Sequence, residues 1–407
     1  MNSSSFILRL PSAPRILVRG TNWLGDAVMT IPALLRLREK FPEARITLLT
    51  PEKLEGLWLH HPAVDKIITF NAGDGLLEVS RKMRLHSHSF QEQKENLAEL
   101  GRNLPEVRRS VTRVMASTHT VFDVAVIFPN SPRAALEVWL ARIPKRVGYA
   151  RPWRNFFLTT HLAPRPDAVK MHKRSVAEIR ELIRVLKPRA LTPPSAHQIH
   201  EYLHLAAALG ANPKPLPPKL FVTPDEIEAA KKKFGLGEIV NPIFGLNPGA
   251  EYGPAKRWPV EKFIAAAQYI QQKTNCVWIL FGGKNDVAIT GQIESAIRSP
   301  PSAIFNFSGK TSLRELMALL KPCRVLLTND TGTMHAAAAL GTPVVVPFGS
   351  TSPELTGPGL PGDTHHRLLR SDVPCAPCFL RECPIDFGCM NGISVARVVE
   401  AVLRVVN

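Results

Sequence analysis

Short apolar runs alternate with stretches of helical periodicity along most of this chain. In the first half the runs fall at Ile16 to Val18, Ile46 to Leu49, Ile67 to Phe70 and Val121 to Phe128, with a helix expected after Asp26 and another around Ala134 to Ala141. Runs this short, mostly apolar and separated by amphipathic segments, read as strands buried on both faces of a parallel sheet. Helices would then cover the sheet. Residues 172 to 209 predict one or two helices, and Ala211-Asn-Pro-Lys-Pro-Leu-Pro-Pro218 ends them, because proline fixes φ and removes a backbone donor. The alternation resumes at Ile243 to Leu246, Val277 to Phe281, Ile304 to Phe307, Val325 to Thr328 and Val344 to Phe348. The pattern therefore predicts an α/β chain of two doubly wound halves: an N-terminal domain over 1–210, a C-terminal domain over 211–390 and a terminal helix over 391–407. Between Glu78 and His119 the chain turns polar, with Arg81, Lys82, Arg84, His86 and His88. We expect a helical or mobile insertion there.

Composition narrows the class. A chain of 407 residues, 45% hydrophobic and 21% charged, is long enough to bury two cores and has the balance of a soluble globular protein. No run approaches the roughly 18 apolar residues that cross a bilayer. Met1-Asn-Ser-Ser-Ser-Phe-Ile-Leu-Arg9 lacks a basic start and an apolar core, so no secretory signal is expected and the cytoplasm is the expected location. The formal net charge is +17, which calls for an acidic partner. Residues 145 to 190 carry twelve Lys or Arg against three acids, a net +9. Without helix-turn-helix, zinc-finger or RNA-binding signatures, nucleic acid is not the expected partner. A membrane surface carrying phosphorylated lipid fits the charge better.

Two strand-to-helix turns concentrate the chemistry. Arg15-Ile-Leu-Val-Arg-Gly-Thr-Asn-Trp-Leu-Gly-Asp26 puts a carboxylate where a strand gives way to a helix. Asp26 there suits either an N-cap or a general base. Amide dipoles at a helix N-terminus are expected to keep it ionised. Asn329-Asp-Thr-Gly-Thr-Met-His335 opens the second such helix. Small residues before exposed N–H groups make an anion site, although Asp330 and Thr331 also suit capping. Lone His335 fits either a ligand contact or a packed core position. Lys256-Arg-Trp-Pro259 precedes a helix that Pro259 is suited to begin, and Phe281-Gly-Gly-Lys-Asn-Asp286 closes a strand.

Taken in order, these stretches resemble the ADP-heptose–lipopolysaccharide heptosyltransferases, nearest to the heptosyltransferase II branch. Arg19-Gly-Thr-Asn-Trp-Leu-Gly-Asp-Ala-Val-Met29, Pro129-Asn-Ser-Pro-Arg133, Arg146-Val-Gly-Tyr149, Asn247-Pro-Gly-Ala250, Lys256-Arg-Trp-Pro259, Asn329-Asp-Thr-Gly332 with His335, and Gly349-Ser-Thr-Ser-Pro-Glu354 carry the resemblance. It implies the GT-B architecture, two Rossmann-like domains facing a central cleft, with acceptor bound by the first and ADP-heptose by the second. By that resemblance the aspartate of the Gly25-Asp26 pair is the catalytic base and Lys256 steadies the leaving ADP. Gly25, Asn247, Asp286, Asp330, Thr331, Gly332 and His335 are then the donor-binding positions. Arg133, Arg146 and Arg151 are candidates for a phosphorylated acceptor, since guanidinium forks match phosphate oxygens. The expected substrates are ADP-L-glycero-D-manno-heptose and the Kdo/heptose-lipid A inner core, met at the cytoplasmic face of the inner membrane by a peripheral enzyme.

The resemblance leaves some choices open. A heptosyltransferase I acting on Kdo, a sugar-nucleotide epimerase and a non-catalytic binding protein use the same fold. No Asp-x-Asp pair occurs, so neither a metal on the diphosphate nor a cofactor is expected; that the transfer is inverting is what the resemblance implies. Four of six cysteines fall in Cys375-x2-Cys378-x4-Cys383-x5-Cys389. That spacing suits zinc or an iron–sulfur cluster, but a structural role is expected.

Overall fold

Six parallel strands form each of two sheets in the computed structural model, which describes residues 8–85, 122–186, 191–297 and 304–406. The first sheet contains β1 (Arg15–Arg19), β2 (Arg45–Pro51), β3 (Lys66–Phe70), β4 (Val124–Ile127), β5 (Lys145–Tyr149) and β6 (Thr160–Leu162). Its order is β3-β2-β1-β4-β5-β6. The second contains β7 (Ile243–Asn247), β8 (Val277–Leu280), β9 (Ile304–Asn306), β10 (Leu326–Thr328), β11 (Val344–Pro347) and β12 (Arg367–Leu369), in the order β12-β11-β10-β7-β8-β9. Counted within each half, both are the doubly wound 3-2-1-4-5-6 arrangement. The order in which strands are added reverses between β1 and β4 in one sheet and between β7 and β10 in the other.

Continuous apolar runs became the central strands because both faces of a parallel sheet are covered. Ile16, Leu17 and Val18 are wholly buried. Leu17, Leu49, Ile68, Ala125 and Ile127 pack with Ala134, Ala135 and Val138 of the helix Pro132–Leu140. In the second half, Phe244, Trp278 and Leu280 join Phe263, Ala267 and Ile270 of the helix Val260–Thr274 and Val398, Val399 and Val402 of the terminal helix Val395–Val406. Each fully buried Leu, Ile, Val or Phe among them contributes about 1.5–3 kcal/mol. Two compact units result. One comprises Met1–Asn22, Thr30–Pro166 and Ile199–Pro215; the other comprises Trp23–Met29, Asp167–Gln198 and Leu216–Asn407.

Three strands were absent from the sequence pattern: β5, β6 and β12. β5 reads Lys-Arg-Val-Gly-Tyr, and β6 and β12 are three-residue edge strands. Short edges carry too few apolar positions to show a period. Residues 172 to 209 form two α-helices, Val176–Arg184 and Ile199–Ala207. The polar stretch begins as the helix Leu76–Leu85, and the rest of the expected insertion, through His119, lies outside the described residues.

Candidate functional site

At the reversal of strand order in the second sheet, Asn247, the last residue of β7, lies level with Thr328, the last of β10. In open parallel sheets ligands bind beyond the carboxyl ends of strands at such a reversal. The residue just past β10, Asn329, is wholly buried and ties three loops together. Its backbone N–H donates to Asn247 O at 3.3 Å, its Nδ2 donates to Pro248 O at 2.7 Å, and its Oδ1 accepts from Trp258 N at 3.0 Å. Trp258 is fixed from behind by its own Nε1 bond to Ile393 O, 3.1 Å. The Asn247, Lys256 and Asp330 loops are therefore one polar assembly.

Lys256 closes the short 3-10 turn Pro254–Lys256. Its Nζ lies 2.6 Å from Asp330 Oδ2, and the buried Thr351 hydroxyl donates to the same oxygen at 2.6 Å. The Tyr252 ring centroid is 4.9 Å from Nζ. The next residue, Thr331, is the N-cap of the helix Gly332–Ala339, but its side chain does not cap. Its Oγ1 instead accepts from Asn247 Nδ2 at 3.2 Å. Asp286 accepts from Gly283 N at 2.9 Å and lies over Gly249, where a Cβ would come within 2.3 Å of its carboxyl carbon. Asn247 Oδ1 and Ser350 Oγ, both buried, have no hydrogen-bond partner among the described residues.

Gly25 and Asp26 belong to the same unit as this assembly, within Trp23–Met29. Two glycines permit the contact. A Cβ on Gly25 would stand 2.8 Å from His335 Cδ2, and one on Gly332 would stand 2.7 Å from Leu24 Cβ. The His335 ring and the Leu24 side chain thus pack directly on the backbone of Gly25 and Gly332. Asp26 is the third residue of its helix, Leu24–Lys40, so it is not the N-cap. Its Oδ1 accepts from Gln198 Nε2 at 3.0 Å.

Burial raises the Asp26 pKa above the usual carboxylate value, opposed by the Gln198 hydrogen bond and the charge of Lys256, and assisted by Asp330. A carboxylate with raised basicity is better matched to proton abstraction near neutral pH than an ordinary one. Burial acts oppositely on His335, lowering its pKa to about 4. Its imidazole is neutral and packed against Gly25.

The three arginines lie in the first unit. Arg133 Nε donates to Glu137 Oε1 at 3.0 Å, and its Nη2 donates to Asp74 O at 2.7 Å, leaving the side chain half-exposed. Glu137 is fully buried and also receives Arg19 Nε at 3.0 Å. Arg151 lies beside the Tyr149 ring, with Nη1 donating to Ala150 O at 3.2 Å. Arg146 has a more internal use. Its Nε and Nη1 donate to the carbonyls of Phe157 and Ile143 at 2.7 and 2.5 Å, which join β5 to the turn before β6.

The four clustered cysteines are free thiols in the segment between β12 and the terminal helix. Among the described residues no group of three or more His, Cys, Asp or Glu is arranged to hold a metal ion. Gln198, Thr351, Asn329 and Tyr252 carry the supporting bonds and had not been assigned roles. Only Asn329 and Thr351 lay inside quoted motifs.

The glycosyltransferase family 9 (heptosyltransferase) profile matches residues 170–387. The lipooligosaccharide heptosyltransferase 2 of Haemophilus ducreyi is 30% identical over 84% of this chain and 86% of its own length. The lipopolysaccharide heptosyltransferase 2 of Escherichia coli is 29% identical over 84% of this chain and 85% of its own. The solved ADP-heptose lipopolysaccharide heptosyltransferase II of E. coli superposes with a TM-score of 0.70 at 25% identity, covering 96% of this chain and 98% of that one. With its two 3-2-1-4-5-6 sheets and a family match over more than half its length, this chain belongs to glycosyltransferase family 9, the heptosyltransferases.

Proposed function

We propose that this glycosyltransferase moves L-glycero-D-manno-heptose from ADP-heptose to the first heptose of the lipopolysaccharide inner core, in one inverting displacement without a metal. The observation that carries this reading is the grouping of Asp26, Lys256 and Asp330 in one unit, with Asp26 raised in basicity and Lys256 held by the Asp330 carboxylate. Asp26 takes the proton as the acceptor O–H bond breaks. The acceptor oxygen bonds the anomeric carbon while the bond from that carbon to the diphosphate oxygen opens, and the electron pair leaves with ADP. Lys256 and the N–H groups at Gly332 meet the charge that develops on the pyrophosphate. Asn247 Oδ1 and Ser350 Oγ, without a partner among the described residues, are open to donor hydroxyls, and Asp286 to the ribose.

Acceptor phosphates fall to Arg133 and Arg151, whose side chains reach the surface; Arg146 maintains β5. No described helix is long and apolar enough to cross a membrane. We assign the protein a peripheral place at the cytoplasmic face of the inner membrane, reached through its basic surface. The deciding experiment incubates purified protein with ADP-heptose and a panel of truncated cores. Mass spectrometry should find one heptose added to a core ending in heptose, with ADP released. Transfer to Kdo-lipid A alone, or turnover of ADP-heptose with no acceptor present, would replace this reading.

A further inference from the structure

Gln198 ends a short segment that is pinned twice to the loop following β11. Its backbone N–H donates to Leu355 O at 2.9 Å, and a ring nitrogen of the buried His197 bonds Gly357 O at 3.1 Å. The same loop supplies Thr351, whose hydroxyl holds Asp330 and through it Lys256. From this fixed base the Gln198 amide reaches Asp26 Oδ1 at 3.0 Å. One loop, residues 350–357, thereby supports both the carboxylate and the cation.

We propose that Gln198 is a positioning residue for the transfer reaction: its amide N–H fixes the Asp26 carboxylate through Oδ1, directs Oδ2 to the acceptor hydroxyl, and sets how readily Asp26 accepts a proton. This rests on the reading of Asp26 as the base. The chemistry suits the task. An amide donor stabilises the carboxylate without adding a charge, whereas an ammonium in its place would suppress basicity and compete for the acceptor's phosphates. The other groups facing Asp26 are accounted for. Lys256 favours its charged form, Asp330 and burial disfavour it, and neutral His335 packs against the adjacent Gly25. Gln198 is the neutral member of this set that bonds the carboxylate directly, so replacing it alters the base and leaves the Lys256–Asp330 pair intact.

The test compares Gln198→Ala and the isosteric Gln198→Glu with the parent enzyme in kcat, donor KM and pH profile. For Gln198→Ala, kcat at neutral pH should fall roughly tenfold or more, donor KM should stay within about twofold, and the acidic limb should move to higher pH. Raising the pH should recover part of the loss, because Asp26 then ionises without the amide. Gln198→Glu should move the limb further, since two facing carboxyls share one proton. Calorimetric ADP binding checks folding, and Gln198→Glu, which keeps the volume, carries the test if the alanine variant fails it. Acidic limbs that superimpose on the parent's, or a loss confined to donor KM, would overturn the proposal. Asp26→Asn in the same assay separates the two ideas. If it turns over normally, the base reading falls; if it is inactive while the Gln198 limbs are unmoved, only the role of Gln198 falls.

Discussion

Asp26→Asn keeps the shape of the side chain and the bond from Gln198 but cannot take a proton. Turnover should drop by roughly 10² to 10⁴ while donor affinity stays near that of the parent; turnover within about threefold would make Asp26 structural. Lys256→Ala acts differently, because the diphosphate is charged in substrate and product alike. It should weaken both ADP-heptose and ADP in calorimetry, and it also leaves the buried Asp330 without its cation. Unchanged ADP affinity would remove Lys256 from the donor site. Asp26 and Lys256 were legible in the sequence because each sits in a short pattern at a strand-to-helix turn. Gln198 was not, since it lies far along the chain from Asp26 and only the fold brings its amide to the carboxylate. The burial that raises the Asp26 pKa was not legible either, because a helix N-terminus is visible in a sequence and desolvation is not.

At the scale of elements, the cysteine segment braces the Lys256 turn. Tyr252 Oη donates to Phe379 O at 2.7 Å, Ala255 N donates to Arg381 O at 2.9 Å, and Gly253, at φ 149°, brings its Cα so close to Arg381 O that a Cβ would clash at 2.5 Å. Burial first, and the neighbouring thiols second, push Cys389 up to about 12 and raise Cys375 and Cys378. Protonated thiols are poor nucleophiles, so Cys389 should resist alkylation in the native protein and react on unfolding. Elemental analysis of protein purified without added metal should find well under one zinc or iron per chain; a stoichiometric metal lost on replacing Cys375 and Cys378 would give the segment a metal site instead. The helix Gly332–Ala339 yields a pH prediction. His335, depressed to about 4 against about 6.5 in an unfolded chain, contributes stability that is complete above the higher value and lost as pH falls toward the lower. The melting temperature should therefore decline between about pH 6.5 and pH 4, less steeply in His335→Gln. Some slope should remain, because His366 is also held near 4.

For the whole molecule the governing quantity is charge. Residues 145 to 190 hold +9 of the net +17, a field that attracts anions over about a Debye length, roughly 10 Å at 0.1 M salt. Arg151→Ala should raise the acceptor KM and leave the donor KM flat. The increase should be larger at high salt, where the remaining charges no longer compensate. Lysine at this position should recover only part of the loss, because an ammonium lacks the two-pronged geometry of guanidinium. Arg146→Ala should act through stability, lowering the melting temperature, since its nitrogens hold carbonyls on both sides of β5. Normal acceptor use by Arg151→Ala, or duplex nucleic acid binding tighter than acceptor at physiological salt, would redirect the basic surface to another partner.

The sequence by itself determined the class of the fold, the central strands and the family, because these follow from local quantities: apolar runs, prolines, and glycine-bearing turns whose chemistry is complete within about ten residues. Asp330, Gly332 and Asn247 could be singled out on that basis. The tertiary structure decided the rest. It gave both halves the same strand order although no sequence repeat marks it, since topology depends on which runs pair and not on their composition. It enlisted β5, which opens on Lys-Arg, and the three-residue edges β6 and β12 through hydrogen bonds to neighbours that their sequences do not announce. It also joined Lys256 to Asp330, Asp26 to Gln198 and Gly25 to His335. Those contacts span long stretches of chain, and the burial that sets their protonation exists only once the chain has folded.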